Sequence, residues 1–90
     1  AGVYPEAPNE RDWVVIDKAY SGGTIDAAAA RLRAKLGRPI NITKVALFPT
    51  SLQALKRADY AVYAGRLFRC SEVVPSLSAD HWHLELLRAT

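Results

Sequence analysis

The chain has 90 residues, half of them in the AVILMFWYC set and 23% charged, with 12 Lys+Arg against 9 Asp+Glu. That is room for one small domain, which hides about 60–65% of its unfolded surface on folding. The apolar fraction excludes intrinsic disorder, five Gly and five Pro exclude a fibrous or low-complexity class, and no run approaches the roughly 18–20 apolar residues of a membrane span.

Residues 1–12 (AGVYPEAPNERD) carry two prolines and mixed charge and predict an extended N-terminal arm. Residues 13–90 then form a single α/β domain. Trp13-Val14-Val15-Ile16 is a continuous apolar run rich in β-branched residues, the pattern of a strand buried on both faces of a parallel sheet. Ser21-Gly22-Gly23-Thr24 breaks the chain, and IDAAAARLRAKLG predicts a helix with Ile25, Ala28, Ala29, Leu32 and Leu36 on one face. Thr24 is placed to cap it, Asp26 and the later Arg31, Arg33 and Lys35 suit its dipole, and Gly37 with Pro39 stops it. Ile40–Phe48 predicts a second strand ended by Pro49. Thr50 and Gln53 read as a capping box for a short helix that turns Leu52, Leu55 and Ala58 inward. YAVYAGRLF favours strand over helix. The tail predicts a C-terminal β-hairpin, Leu67–Val74 against His81–Leu87, with Trp82, Leu84 and Leu86 on one face. Strand, helix, strand, helix, strands is an α/β order requiring at least one parallel pair.

One stretch carries chemistry, WVVIDKAYSGGTIDAAAARL. An apolar strand runs out into an acid, a short loop, small residues and a helix N-terminus, which together make an anion cradle. Glycines let backbone N–H groups approach a phosphate, Ser21 and Thr24 add hydroxyls, and the helix dipole favours negative charge. Asp17 at the strand tip suits sugar hydroxyls or a magnesium-bound water. An α/β loop that uses its glycines only to turn has the same outline.

The fuller pattern resembles the phosphoribosyl-pyrophosphate (PRPP) signature of type I phosphoribosyltransferases: apolar residues, two acids, a few variable positions, then Thr-Gly-x-Thr before an alanine-rich helix. Aligned on the glycines, Ser21, Gly22, Gly23 and Thr24 take the phosphate-binding end and Asp17 the second acid. KVALFP sits where the family has its next strand, and Lys56–Phe68 resembles its later Asp-aromatic strand, which sets Tyr60 beside a stacked base. The resemblance covers about residues 13–68 and is specific only in 13–24. It implies a partial, Rossmann-like phosphoribosyltransferase sheet that binds PRPP or a nucleoside monophosphate, with Mg2+ at Asp17. The departures are Ile16 in place of the first acid, Lys18 after the second, and Tyr20 where the family often has an Asp. The family also has earlier strands with a pyrophosphate loop, whereas twelve residues precede Trp13. No catalytic residue is assigned, and the expectation is half of a nucleotide-type site: a split subunit, a piece of a longer enzyme, or a domain that binds without catalysing.

Other features carry blander expectations. A chain with no Met that begins at Ala1 reads as processed or as part of something longer. Without an apolar leader in residues 1–12 and with Cys70 as its one cysteine, it reads as cytoplasmic. His81 and His83 would share a strand face at a zinc-like spacing but lack a third ligand cluster. Cys70 reads as a small buried hydrophobe. The net charge of +3 fits an anionic ligand or an ordinary surface. Arg31, Arg33, Lys35 and Arg38 read as a solvated face, with nucleic acid as the less favoured partner. The alternative function is a small basic α/β module that binds nucleic acid or a protein. Finally, Trp13–Ile16 would lie near an open sheet edge, so a second chain, identical or different, is expected to complete the sheet.

Overall fold

The apolar run Trp13–Ile16 forms the middle of a strand, and the sheet grows outward from it on both sides. In the computed structural model, which describes residues 2–6, 11–18 and 23–89, this strand is β2 (Asp12–Lys18). It is preceded by β1 (Gly2–Pro5) and followed by α1 (Gly23–Leu36), β3 (Asn41–Leu47), α2 (Leu52–Arg57), β4 (Tyr60–Tyr63) and β5 (Arg66–Arg69). The chain closes with α3 (Cys70–Val73), a 3-10 turn at Val74–Ser76, and α4 (Trp82–Arg88). The sheet is mixed, in the order β1-β2-β3-β4-β5. The β2–β3 and β3–β4 pairs are parallel and bridged by helices, while the outer pairs are antiparallel.

Several expectations change here. The segment read as an arm supplies β1, in which Val3 lies opposite Val15 and Tyr4 opposite Val14. The sheet edge that was to need a second chain is therefore covered by this chain itself. The hairpin sits earlier than expected: β4 and β5 are joined by Ala64 and Gly65, both at positive φ (50° and 74°), the twist a two-residue turn requires. The tail is helical instead of forming a second hairpin. In α4, Trp82 and Leu86 are one turn apart and Leu86 is fully buried, whereas Leu84 points outward and is 45% exposed. Alternation cannot be told from a helical stripe over so few residues, and burial of Leu86 in the core with Trp82 against Tyr63 decides it.

Capping also differs. Thr24 lies inside α1, so it is not the cap. For α2 the cap is Ser51, whose hydroxyl accepts from the Ala54 N–H at 3.3 Å, and not Thr50. The stop at the far end of α1 is as expected. Gly37 adopts φ 64° and its N–H returns to the Arg33 carbonyl, an αL cap. The loop after the 3-10 turn is tied to α4 by Glu85, whose Oε1 accepts from both N–H and hydroxyl of Ser78 at 2.7 Å. Those bonds favour the ionised form and hold its carboxyl below the usual range.

Side-chain parity locates the core. Val15, Ala46, Ala61 and Phe68 lie on one face of the sheet; Ala46, Ala61 and Phe68 are successive register partners, and Val15 lies two residues along β2 from Asp17, the partner of Ala46. Against them pack Ile25 and Ala28 of α1, Ala54 and Leu55 of α2, Cys70 of α3 and Leu86 of α4. Four alanines in this layer let the helices lie close to the strands, so a thin core still excludes water. Each fully buried Ile25, Leu55 or Leu86 contributes about 1.5–3 kcal/mol. No strand residue of the opposite parity belongs to the core. Among the described residues, no helix is long and apolar enough to cross a membrane.

Candidate phosphate site at the β2–α1 junction

The sequence places its anion cradle where a parallel strand hands over to a helix, and the described part of that junction has defined geometry. Asp17 is the penultimate residue of β2 and is half-buried. Its Oδ1 accepts from the Lys18 N–H at 2.7 Å. By alternation it lies on the same face as Val15, the helix-covered one. Gly23 and Thr24 open α1, both exposed. Thr24 Oγ1 donates to the Lys18 carbonyl at 3.2 Å, which ties the first turn of the helix to the end of the strand. Ser21 and Gly22 lie outside the described residues.

Electrostatics at the junction come from the backbone and from one ion pair. The first N–H groups of α1 have no intrahelical acceptor and lie at the positive end of its dipole. Asp26, in the same turn, would repel an anion, but its Oδ1 is 2.9 Å from Lys44 Nζ of β3. That pair offsets the carboxylate charge and fastens α1 to the sheet. Lys18 alternates to the other face, where its Nζ is 6.0 Å from the centroid of the Phe48 ring.

Parity separates residues that the sequence reading grouped. Ile16, which that reading aligned with a first acid, lies on the face opposite to Asp17, away from the described helices. Tyr60 is level with Ile16 through Val45 and on that same face. The structure therefore brings Asp17, Gly23 and Thr24 together and leaves Tyr60 two strands away. The Tyr60 hydroxyl accepts from Arg69 at 3.4 Å, and the Arg69 guanidinium stands 5.7 Å from its ring centroid. These contacts favour the charged guanidinium and raise its pKa.

Magnesium, which the resemblance implies, does not fit the donors present. Among the described residues no three His, Cys, Asp or Glu side chains gather to hold a metal, and of the two carboxylates described at the junction, Asp17 and Asp26, the second is bound to Lys44. His81 and His83 are not on a strand: His81 is the non-helical cap before α4 and His83 lies within the helix, so strand alternation does not set them side by side. Compared with protein families, characterised proteins and solved structures, the chain matches none.

A second concavity was not foreseen in the sequence. Where β4 begins, Thr43, Leu55, Tyr60, Arg69, Cys70 and Val74 help line an open cleft of about 500 Å3. Asp59 sets its shape: its Oδ2 accepts from the Lys44 N–H, its own N–H donates to the Lys44 carbonyl, and its carbonyl accepts from Cys70 N–H. Burial pushes the Cys70 thiol up to about 11, with Asp59 adding to the shift, so it is no nucleophile at neutral pH.

Proposed function

We propose that the chain binds the phosphate of a ribose phosphate, PRPP or a nucleoside monophosphate, at the β2–α1 junction. The observation that carries the reading is the Thr24–Lys18 clamp, which holds the N-terminus of a 14-residue helix beside the carboxylate at the strand tip. In this reading the N–H groups of Gly23 and Thr24, with Ser21 and Gly22 of the loop, hold the phosphate. Asp17 accepts from the ribose hydroxyls. Lys44, bound to Asp26, keeps the first turn from repelling the anion. Transfer of the phosphoribosyl group to a nitrogen base would need a pyrophosphate-binding loop from elsewhere, and no step is assigned to metal.

Isothermal calorimetry with PRPP, a nucleoside monophosphate and inorganic phosphate tests this, using the chain and its Gly23→Asp variant. An acid in the first turn suits the helix dipole, so the variant is expected to keep its fold while losing anion binding. Heat from the phosphates, abolished by Gly23→Asp, is the expected result. No heat from any of them, or equal binding by the variant, overturns the reading. Salt-dependent retention of nucleic acid in place of phosphate binding would favour the alternative module.

A further inference from the structure

The cleft beside Asp59 originates in a step in the sheet. β3 begins at Asn41, but its ladder with β4 starts only at Val45, opposite Tyr60. Asp59 extends the pairing by one residue through its bonds to Lys44. Before Asp59 the chain belongs to α2 instead of running on beside β3. The early part of β3 therefore meets the end of α2 and the start of α3, and residues of all three line the cleft. Its volume, about 500 Å3, lies within the range of about 300–1,000 Å3 that small-molecule sites occupy. None of the lining residues belongs to the β2–α1 junction.

The lining divides by chemistry. Leu55, Ala58, Cys70, Val74 and Pro75 give it apolar surface, and its polar side chains are nearly all donors. Lys56 is exposed and makes no hydrogen bond or ion pair with a described residue. The same holds for the hydroxyls of Thr43 and Ser71. The Tyr60 hydroxyl accepts from Arg69 at 3.4 Å, which leaves its own proton to donate. The Arg69 guanidinium has further N–H groups beyond those directed at Tyr60 and at Glu72, 3.6 Å away. That ion pair is exposed and offsets little of the charge. Asp59 is the one carboxylate in the described lining, and its Oδ2 already accepts from the Lys44 N–H. Two cations and three hydroxyls thus share the cleft with a single, partly occupied acceptor.

We propose that this cleft binds a small organic anion, a carboxylate carried on an apolar body. An excess of donors is matched by an acceptor-only head, and a planar carboxylate suits the guanidinium fork. The apolar wall takes the body, a part that acetate and inorganic phosphate lack. The cleft is open, so binding is modest. For a ligand of about a dozen non-hydrogen atoms the expected dissociation constant is about 0.1–1 mM.

Amide chemical-shift mapping on the isotope-labelled chain tests this, with indole-3-acetate as the probe. Uncharged indole-3-acetamide, acetate and inorganic phosphate serve as comparisons. Saturable shifts centred on Asp59, Tyr60, Cys70 and Ser71 are expected with indole-3-acetate, and binding at least about fivefold weaker with each of the others. Arg69→Gln and Lys56→Gln are each expected to weaken binding about three- to tenfold. Arg31→Gln, the same charge change on α1, is expected to leave it unchanged. Lys56 has no partner to lose, so its variant keeps the test open should Arg69→Gln fail to fold. No saturable shift below about 5 mM overturns the proposal, and so does unaltered affinity in both glutamine variants. Equal binding of the acetamide would make the cleft merely apolar, and tighter binding of inorganic phosphate would make it a phosphate site. Either result refutes the proposal. Shifts confined to Gly23 and Thr24 would do the same, since they would place the anion at the β2–α1 junction.

Discussion

The most discriminating substitution lies in the C-terminal helix. Leu86 is fully buried against the sheet, whereas Leu84, two residues earlier, is 45% exposed. Truncation to alanine changes helix propensity little at either site, so the difference between the variants reports packing. Leu86→Ala leaves a cavity under α4 and is expected to cost about 3 kcal/mol. Leu84→Ala removes a side chain already half in water and is expected to cost no more than about 0.5 kcal/mol. A domain of this length has about 5–13 kcal/mol of stability in total, so the first loss is a large share. It corresponds to a fall in melting temperature of about 12–24 °C, against about 4 °C or less for the second. Urea unfolding followed by tryptophan fluorescence reads both values, since Trp82 begins α4 and its ring lies tilted against Tyr63 of β4, centroids 5.5 Å apart. Equal losses at the two positions would refute a helical tail and point back to an extended one, in which Leu84 and Leu86 share a face.

Two other consequences are as direct. Ala64 holds φ 50° at the first position of a turn whose second position is Gly65, and asparagine tolerates that conformation better. Ala64→Asn is therefore expected to stabilise the domain by about 0.5–1 kcal/mol in urea titrations, and a loss of stability would contradict the turn geometry. The Cys70 thiol, ordinarily near 9.0, is raised to about 11 in the folded chain. Its contribution is fully present below the unfolded value and is lost as pH rises through the folded one. Stability should thus decline between about pH 9 and 11 more steeply than in Cys70→Ala, and identical pH profiles would refute the burial argument.

What the sequence made legible follows from where one signal dominated. The run Trp13–Ile16, the stripe Ile25–Leu36 and the pairing of Gly37 with Pro39 each admit one local structure, and β2, α1 and the helix stop are as expected. The two elements misread were those where a competing signal was equally short. Gly2–Pro5 contains a proline and looked like an arm, but its pairing with β2 depends on partners eight to fourteen residues away that no local pattern discloses. In residues 70–88 leucines and a tryptophan at alternate positions suggested a strand, yet burial of Trp82 and Leu86 one turn apart outweighed it. At the candidate site the approach of Thr24 to the end of β2 was implied by the motif. The separation of Tyr60 from Asp17 was not, because the face on which a residue falls depends on register, and register is set by long-range pairing.

The order of strands has a kinetic consequence. Every strand pairs with its neighbour in the chain, β1 with β2 through to β4 with β5, so no pairing waits for a segment made much later. Loop closures are short except for the two helical crossovers, and each of those carries its own helix to hold the ends together. A nascent chain can therefore dock each strand onto the last as it emerges during synthesis. Among the described elements the sheet lengthens in chain order, and α4, which follows all five strands, adds Leu86 to the core after them.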